Sequence, residues 1–149
     1  MQRLPESTTF AVILSIIAIV GGLILNFQEF LSGSPANAKN LIVTFLYMDI
    51  WCFLLVVAAK SKNRKVLMYC SVFWIMTLIF SVITIYVNAT EASVDWAIPF
   101  VALLSGQFYG INYFTNDFLT SSIIIAVISL AVSAVALLLF RRSDTVVRN

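Results

Sequence analysis

The sequence predicts an all-α, polytopic membrane protein: a four-transmembrane-helix bundle with an additional short interfacial or re-entrant helix on the outer face. Of its 149 residues, 61% are hydrophobic and 11% are charged, whereas soluble domains carry roughly 25% charged residues. The mean hydropathy is +1.00, and the apolar residues fall into four long runs. We therefore expect one membrane domain, residues 1–149, embedded in the lipid bilayer.

The four runs define the predicted spans, about residues 10–27, 41–59, 66–87 and 119–140. At about 1.5 Å per residue these runs reach roughly 27 to 33 Å as helices, which matches the roughly 30 Å hydrocarbon core of a bilayer. Residues 28–40 contain Gly33 and Pro35 and are predicted to form a loop. The second run ends at the basic cluster 60–65.

Lysine and arginine are distributed very unevenly between the two sides of such a bundle. Eight of the nine fall on the side of the termini, and one falls on the other side. Because positive residues mark the cytoplasmic side, we expect both termini to be cytoplasmic, in a plasma or cytoplasmic membrane. The eight residues are Arg3, Lys60, Lys62, Arg64, Lys65, Arg141, Arg142 and Arg148, and the ninth is Lys39.

The outer connection between the third and fourth runs contains a fairly apolar stretch, Ala97–Ile111. As a helix it reaches only about 22 Å, too short to span comfortably. A fifth span would also move Arg141 and Arg142 to the outer side. We expect an interfacial or re-entrant helix, and favour one lying on the bundle mouth over one inserted between the spans. The aromatic residues suit a belt at the membrane surface, and the candidate interfacial residues are Trp96, Phe100, Gln107, Phe108 and Tyr109, with Tyr113, Phe114 and Phe118 beyond them.

Small or polar residues recur at heptad spacing in three of the spans. Steps of three and four keep one helix face toward its partners, and small residues allow close packing in lipid. These faces predict the bundle interior, with a polar pathway along Thr77, Ser81, Thr84 and Ser129 as the alternative. The predicted faces are Ala11, Ser15, Ala18 and Gly22; Cys70, Trp74, Thr77, Ser81, Thr84 and Asn88; and Ser122, Ala126, Ser129, Ser133 and Ala136.

The second span carries bulkier residues and one carboxylate, Asp49, near its middle. An ionisable residue at mid-membrane is costly and suggests a function. Three roles remain open for Asp49: a neutral acid hydrogen-bonded within the bundle to hydroxyls such as Tyr47, Thr77 or Ser81, an anchor for a partner helix, or an ion or proton site. The face that carries it reads Ile42, Phe45, Asp49, Cys52, Val56 and Ala59, and another face carries Thr44, Tyr47, Trp51 and Leu55.

Other chemistry is sparse in this sequence. Cys52 and Cys70 lie on adjacent spans without a Cys-x-x-Cys motif, and we expect two buried thiols rather than a redox pair. The acids Glu91, Asp95 and Asp117 belong to the outer side, where a solvated loop is a better expectation than a cation site. There is no histidine, no glycine-rich phosphate loop and no nucleophile motif. We predict no catalytic residues, cofactor or metal, and no nucleic-acid binding.

Two functional hypotheses follow from this pattern. The first is a non-enzymatic accessory, regulatory or interaction subunit of a larger membrane complex, bound to another membrane protein. The second is a small transporter or channel that self-associates, with Asp49 in or near an ion or proton pathway. Four spans enclose too little space for a monomeric pore, so the second hypothesis requires oligomerisation.

Overall fold

Every regular element that the computed structural model describes, over residues 4–145, is helical. Two 3-10 segments, Asp95–Ala97 and Gly106–Ile111, flank the fourth helix. Four helices contain stretches long and apolar enough to cross a membrane, and they overlap all four predicted spans. The helices are α1 Leu4–Ser32, α2 Ala38–Lys60, α3 Arg64–Thr90, α4 Ile98–Ser105, α5 Asn112–Thr115 and α6 Phe118–Thr145. Arg3 and Arg148, two of the cations used for the orientation, lie outside the described residues.

Local capping sets the ends of these helices. Gly33 follows α1 with a positive φ of 62°, a conformation that favours glycine. The Asn37 side chain accepts hydrogen bonds from the backbone N–H groups of Lys39 and Asn40, and the Asn40 side chain accepts one from the Asn37 N–H. Lys39 Nζ lies 2.6 Å from Glu29 Oε1 across the same connection. The connection between α1 and α2 is therefore held at both of its ends.

The bundle interior is built from the small-residue faces that the heptad pattern predicts. On α1, Ala11, Ser15 and Ala18 are buried, and Ser15 shares a 2.7 Å hydrogen bond with the Tyr69 hydroxyl of α3. Helices α3 and α6 make the most extensive helix pair, because serine and alanine allow close approach. The prediction is confirmed for most of the series, although Thr84 and Ala126 are half-buried and Asn88 is exposed.

Helix α2 turns its aromatic face inward. Trp51 is buried and stacks on Phe73 at 4.3 Å between ring centroids, and its ring meets Trp74 edge-on at 5.7 Å. Tyr47 meets Phe108 edge-on at 5.1 Å. Aromatic rings at these separations and angles attract one another beyond the area they bury. The aromatic core thus joins α2, α3 and the segment after α4.

The stretch predicted as Ala97–Ile111 packs against α1, α2 and α3. It divides into α4 and the 3-10 helix Gly106–Ile111, which together we call the inserted segment. Phe108 is fully buried, and Gln107 donates from Nε2 to the carbonyl of Ile19, at the middle of α1. Internal polar groups bind this backbone, which favours the re-entrant alternative over a position on the bundle mouth. Phe108 and Tyr109 are consequently buried rather than part of an aromatic belt, whereas Trp96, Phe100, Tyr113, Phe114 and Phe118 are exposed.

Candidate functional site

Asp49 lies near the middle of α2 on the face that points away from the bundle. At 100° per residue it stands 200° around the helix from both Tyr47 and Trp51, which are 2% and 1% exposed. The inward position of those two large rings therefore turns Asp49 outward. Its neighbours on the outward face of α2 are exposed as well: Ile42, Phe45, Leu46, Cys52, Phe53 and Val56.

None of the hydroxyls considered as partners of Asp49 bonds to it in the described chain. Thr77 donates to the Phe73 carbonyl at 3.0 Å, and Ser81 donates to the Thr77 carbonyl at 2.8 Å, both within α3. The Tyr47 hydroxyl is buried on the opposite side of α2. No residue in the described part of the chain forms a hydrogen bond or ion pair with Asp49. Of the three roles open for Asp49, that of a neutral acid hydrogen-bonded inside the bundle does not fit this exposed position.

The structure therefore separates the candidate polar residues into two groups. Asp49 and Cys52 lie on the outward face of α2, while Tyr47, Thr77 and Ser81 are buried. Thr84 is half-buried and donates to the Phe80 carbonyl at 2.8 Å. These α3 hydroxyls donate within their own helix, and each oxygen keeps acceptor lone pairs. We take the outward face of α2 as the candidate site because it carries Asp49, the charged group among the candidate residues.

The two cysteines lie in different environments. Cys52 is exposed on the outward face of α2, Cys70 is buried in the bundle, and both are free thiols. The expectation of two buried thiols is correct for Cys70 and wrong for Cys52. The exposed thiol lies three residues from Asp49, on the same face, and offers a native position for labelling.

A buried polar network that was not predicted from the sequence holds the inserted segment. Asn26 Nδ2 donates to the carbonyls of Gly106 and Gln107 at 3.1 and 3.2 Å, and Asn40 donates to Asn26 Oδ1 at 3.1 Å. Thr44 donates to the Gln107 carbonyl at 2.7 Å. Backbone groups freed where a helix breaks need such partners in an apolar interior. The sequence feature that could have indicated this network is the pair Asn26 and Asn40, which lie at the facing ends of adjacent apolar runs.

Close packing accompanies this network. A Cβ atom added at Gly22 would lie 2.7 Å from Gln107 Cγ, and one added at Gly110 would lie 2.6 Å from the Leu41 Cα. The Gly110 N–H donates to Thr44 Oγ1 at 3.0 Å. The Tyr109 hydroxyl donates to the carbonyl of Ser34. The inserted segment is thus fixed against both α1 and the beginning of α2.

The three acids predicted for the outer side do not form one cluster. Asp117 precedes α6 and accepts hydrogen bonds from the Thr120 hydroxyl at 2.6 Å and from the Thr120 N–H at 2.7 Å. These bonds, the hydroxyl first, lower the pKa of Asp117 below its ordinary value. Glu91 and Asp95 instead line a cleft beside α4 that does not include Asp117. Among residues the structure describes, no three His, Cys, Asp or Glu side chains are placed to hold a metal ion.

Comparisons with protein-family models, with curated protein sequences and with solved structures find no match to this chain. The outward carboxylate of α2 is the feature of this chain that bears most directly on its function.

Proposed function

We propose that this chain is a non-enzymatic accessory or regulatory subunit of a larger membrane complex, and that the outward face of α2 binds a spanning helix of its partner. The observation that supports the proposal is Asp49, exposed at mid-helix with no partner within the described chain. Asp49 is also the single Asp, Glu, Lys or Arg inside the four predicted apolar runs. The protein lies in the cell membrane with both termini cytoplasmic, as the lysine and arginine distribution favours.

The energetic reason is the cost of an acid facing lipid. An aspartate at the centre of a spanning helix costs about 2.5 to 3.5 kcal/mol on insertion scales. A partner helix that offers a lysine or arginine at the same depth removes much of this cost, because opposite charges and hydrogen bonds replace contact with hydrocarbon. The large side chains around Asp49, including Phe45 and Phe53, supply the packing area that helix association in lipid requires.

Purification in a mild detergent, with mass determined by light scattering, tests this proposal. We expect a stoichiometric complex with a second membrane protein that carries a lysine or arginine within a spanning helix. Asp49→Asn is expected to lower recovery of that partner about tenfold. Val127→Asn is the matched control because Val127 is 62% exposed on α6, and this variant should retain the partner.

A homo-oligomeric transporter or channel is the second candidate, because an outward Asp49 enters a pathway only between copies. A symmetric homo-oligomer with pH-dependent ion flux that Asp49→Asn abolishes would support this candidate and contradict the accessory subunit. A wild-type monomer that binds no partner and behaves like Asp49→Asn would contradict both.

A further inference from the structure

A cleft of about 450 Å³ opens beside α4, between the end of α3 and the linker that follows it. Its volume is within the range of small-molecule sites, roughly 300 to 1,000 Å³. Most of its wall is aliphatic, and the aliphatic residues include Ile83, Val87, Val94, Ala97, Ile98 and Val101. The cleft is remote from the outward face of α2, since no α2 residue lines it.

The charged groups of this cleft are all acidic. Glu91 and Asp95 line it, both exposed, and no lysine or arginine does. Asp95 accepts a 2.5 Å hydrogen bond from the Ser93 hydroxyl, and Glu91 has no hydrogen-bond or ion-pair partner in the described chain. The cleft therefore joins an apolar wall to a negatively charged rim, which favours cations and disfavours carboxylate or phosphate head groups.

A second chamber of about 40 Å³ shares Phe30, Thr84 and Val101 with the cleft. Ser105 lines this chamber, is 9% exposed, and its hydroxyl has no hydrogen-bond partner in the described part of the protein. An unpartnered buried hydroxyl is unfavourable, and a chamber of this size accommodates a water molecule or a small polar group. Ser105 lines the chamber and not the cleft, so the acidic groups are the charged groups available to a molecule in the cleft.

From the apolar wall and the acidic rim, we propose that this cleft binds an amphiphilic cation. Its alkyl or ring body lies against the aliphatic wall, and its ammonium group lies between Glu91 and Asp95. The proposal is independent of the partner proposed for α2.

Fluorescence quenching provides a direct test, because the three tryptophans differ in exposure. Trp96 is 63% exposed and adjoins Asp95 and Ala97 of the cleft, whereas Trp51 and Trp74 are buried. The probes are 4-bromobenzylammonium and 4-bromobenzoate, in which the bromine stays close to the charged group, added to protein in nanodiscs of zwitterionic lipid. We expect saturable quenching of Trp96 by the ammonium probe, with half-saturation at about fivefold lower concentration than for the carboxylate, because exposed ion pairs each contribute little.

Three variants separate the cleft from general surface charge. The double variant Glu91→Gln/Asp95→Asn should remove the fivefold preference, while Asp117→Asn, which removes one outer charge away from the cleft, should keep it. Ala92→Phe fills the cleft and keeps both carboxylates, so it should abolish saturable quenching. Equal quenching by both probes in the wild type, or unchanged saturable quenching in Ala92→Phe, would overturn the proposal.

Discussion

Gly110→Ala tests the close contact between the inserted segment and α2. An added Cβ would overlap the Asn40 carbonyl oxygen and lie 2.6 Å from the Leu41 Cα. Both neighbours are backbone atoms, so a change of side-chain rotamer cannot relieve the overlap. Among the glycines of the described chain, Gly33 is the one with positive φ. The backbone conformation of Gly110 therefore suits alanine, and any loss of stability arises from the contact itself.

The expected loss follows from two contributions. Overpacking a tightly filled site costs about 1 to 3 kcal/mol. We expect a cost near the upper end of this range for Gly110→Ala, because the atoms that the new Cβ meets are backbone atoms and cannot move aside easily. Displacement of Gly110 also weakens its 3.0 Å hydrogen bond to Thr44 Oγ1, which contributes about 1 kcal/mol. We therefore expect Gly110→Ala to lower the free energy of unfolding by about 3 to 4 kcal/mol.

The assay is unfolding in mixed micelles at increasing SDS fraction, followed by circular dichroism and tryptophan fluorescence. Gly21→Ala is the matched control, because a Cβ at Gly21 meets no heavy atom within 4 Å. It should be unchanged or more stable by up to about 1 kcal/mol, as expected for glycine replaced by alanine in a helix. Equal stability of Gly110→Ala and the wild type would refute the insertion of this segment against α2.

Three further results are expected. Thr44→Val removes two buried hydrogen bonds and should lower the free energy of unfolding by about 2 to 4 kcal/mol in the same assay. Thr120→Val should raise the pKa of Asp117 toward its ordinary value of about 3.8 in an NMR titration, because the hydroxyl is the largest cause of the lowered pKa. In the wild type the stabilisation from ionised Asp117 is complete at neutral pH and is lost as the pH falls below that ordinary value through the lower folded-state pKa. In partner-free protein in a mild detergent, Cys52 should react with a membrane-permeant maleimide at least about tenfold faster than Cys70, measured by mass spectrometry, because Cys52 is exposed and Cys70 is buried; equal rates in that preparation would contradict the assigned orientation of α2.

Hydropathy predicted the four long helices well but their ends poorly. The predicted span 10–27 corresponds to α1 Leu4–Ser32, and 66–87 corresponds to α3 Arg64–Thr90. Apolar runs mark the part of a helix suited to hydrocarbon, whereas the helix itself continues until caps or turns end it. Asn63 and Glu91 bound α3, the first as a side-chain N-cap and the second with left-handed backbone geometry.

Residue spacing located the interior faces of α1, α3 and α6 because small residues must lie where helices approach closely. On α2 the same spacing produced two faces of similar bulk, and periodicity alone did not decide which one is buried. Phe73, Trp74 and Phe108 decide it, because they form an aromatic core that receives Tyr47 and Trp51. This tertiary contact turns Asp49 outward, and it depends on a segment whose insertion hydropathy did not reveal.

The buried position of Gln107 was also not predicted from the sequence. Its position in a short, aromatic-rich stretch suggested a surface role, yet its amide donates to the carbonyls of Ile19 and Leu103. A broken helix can enter an apolar interior when neighbouring side chains satisfy its backbone. Those partners come from α1 and α2, more than 60 residues away in sequence, so local patterns do not encode the arrangement.

Photo-crosslinking from the outward face of α2 in native membranes tests the proposed partner contact most directly. A crosslinking amino acid replaces Phe53, which is 50% exposed, and the same residue at Val127, 62% exposed on α6, serves as the matched control. We expect Phe53 to yield one discrete protein product that maps to a spanning segment with a lysine or arginine, reduced about tenfold by Asp49→Asn. Val127 should yield lipid adducts alone. Lipid adducts alone at Phe53 as well would contradict a partner on the face that carries Asp49.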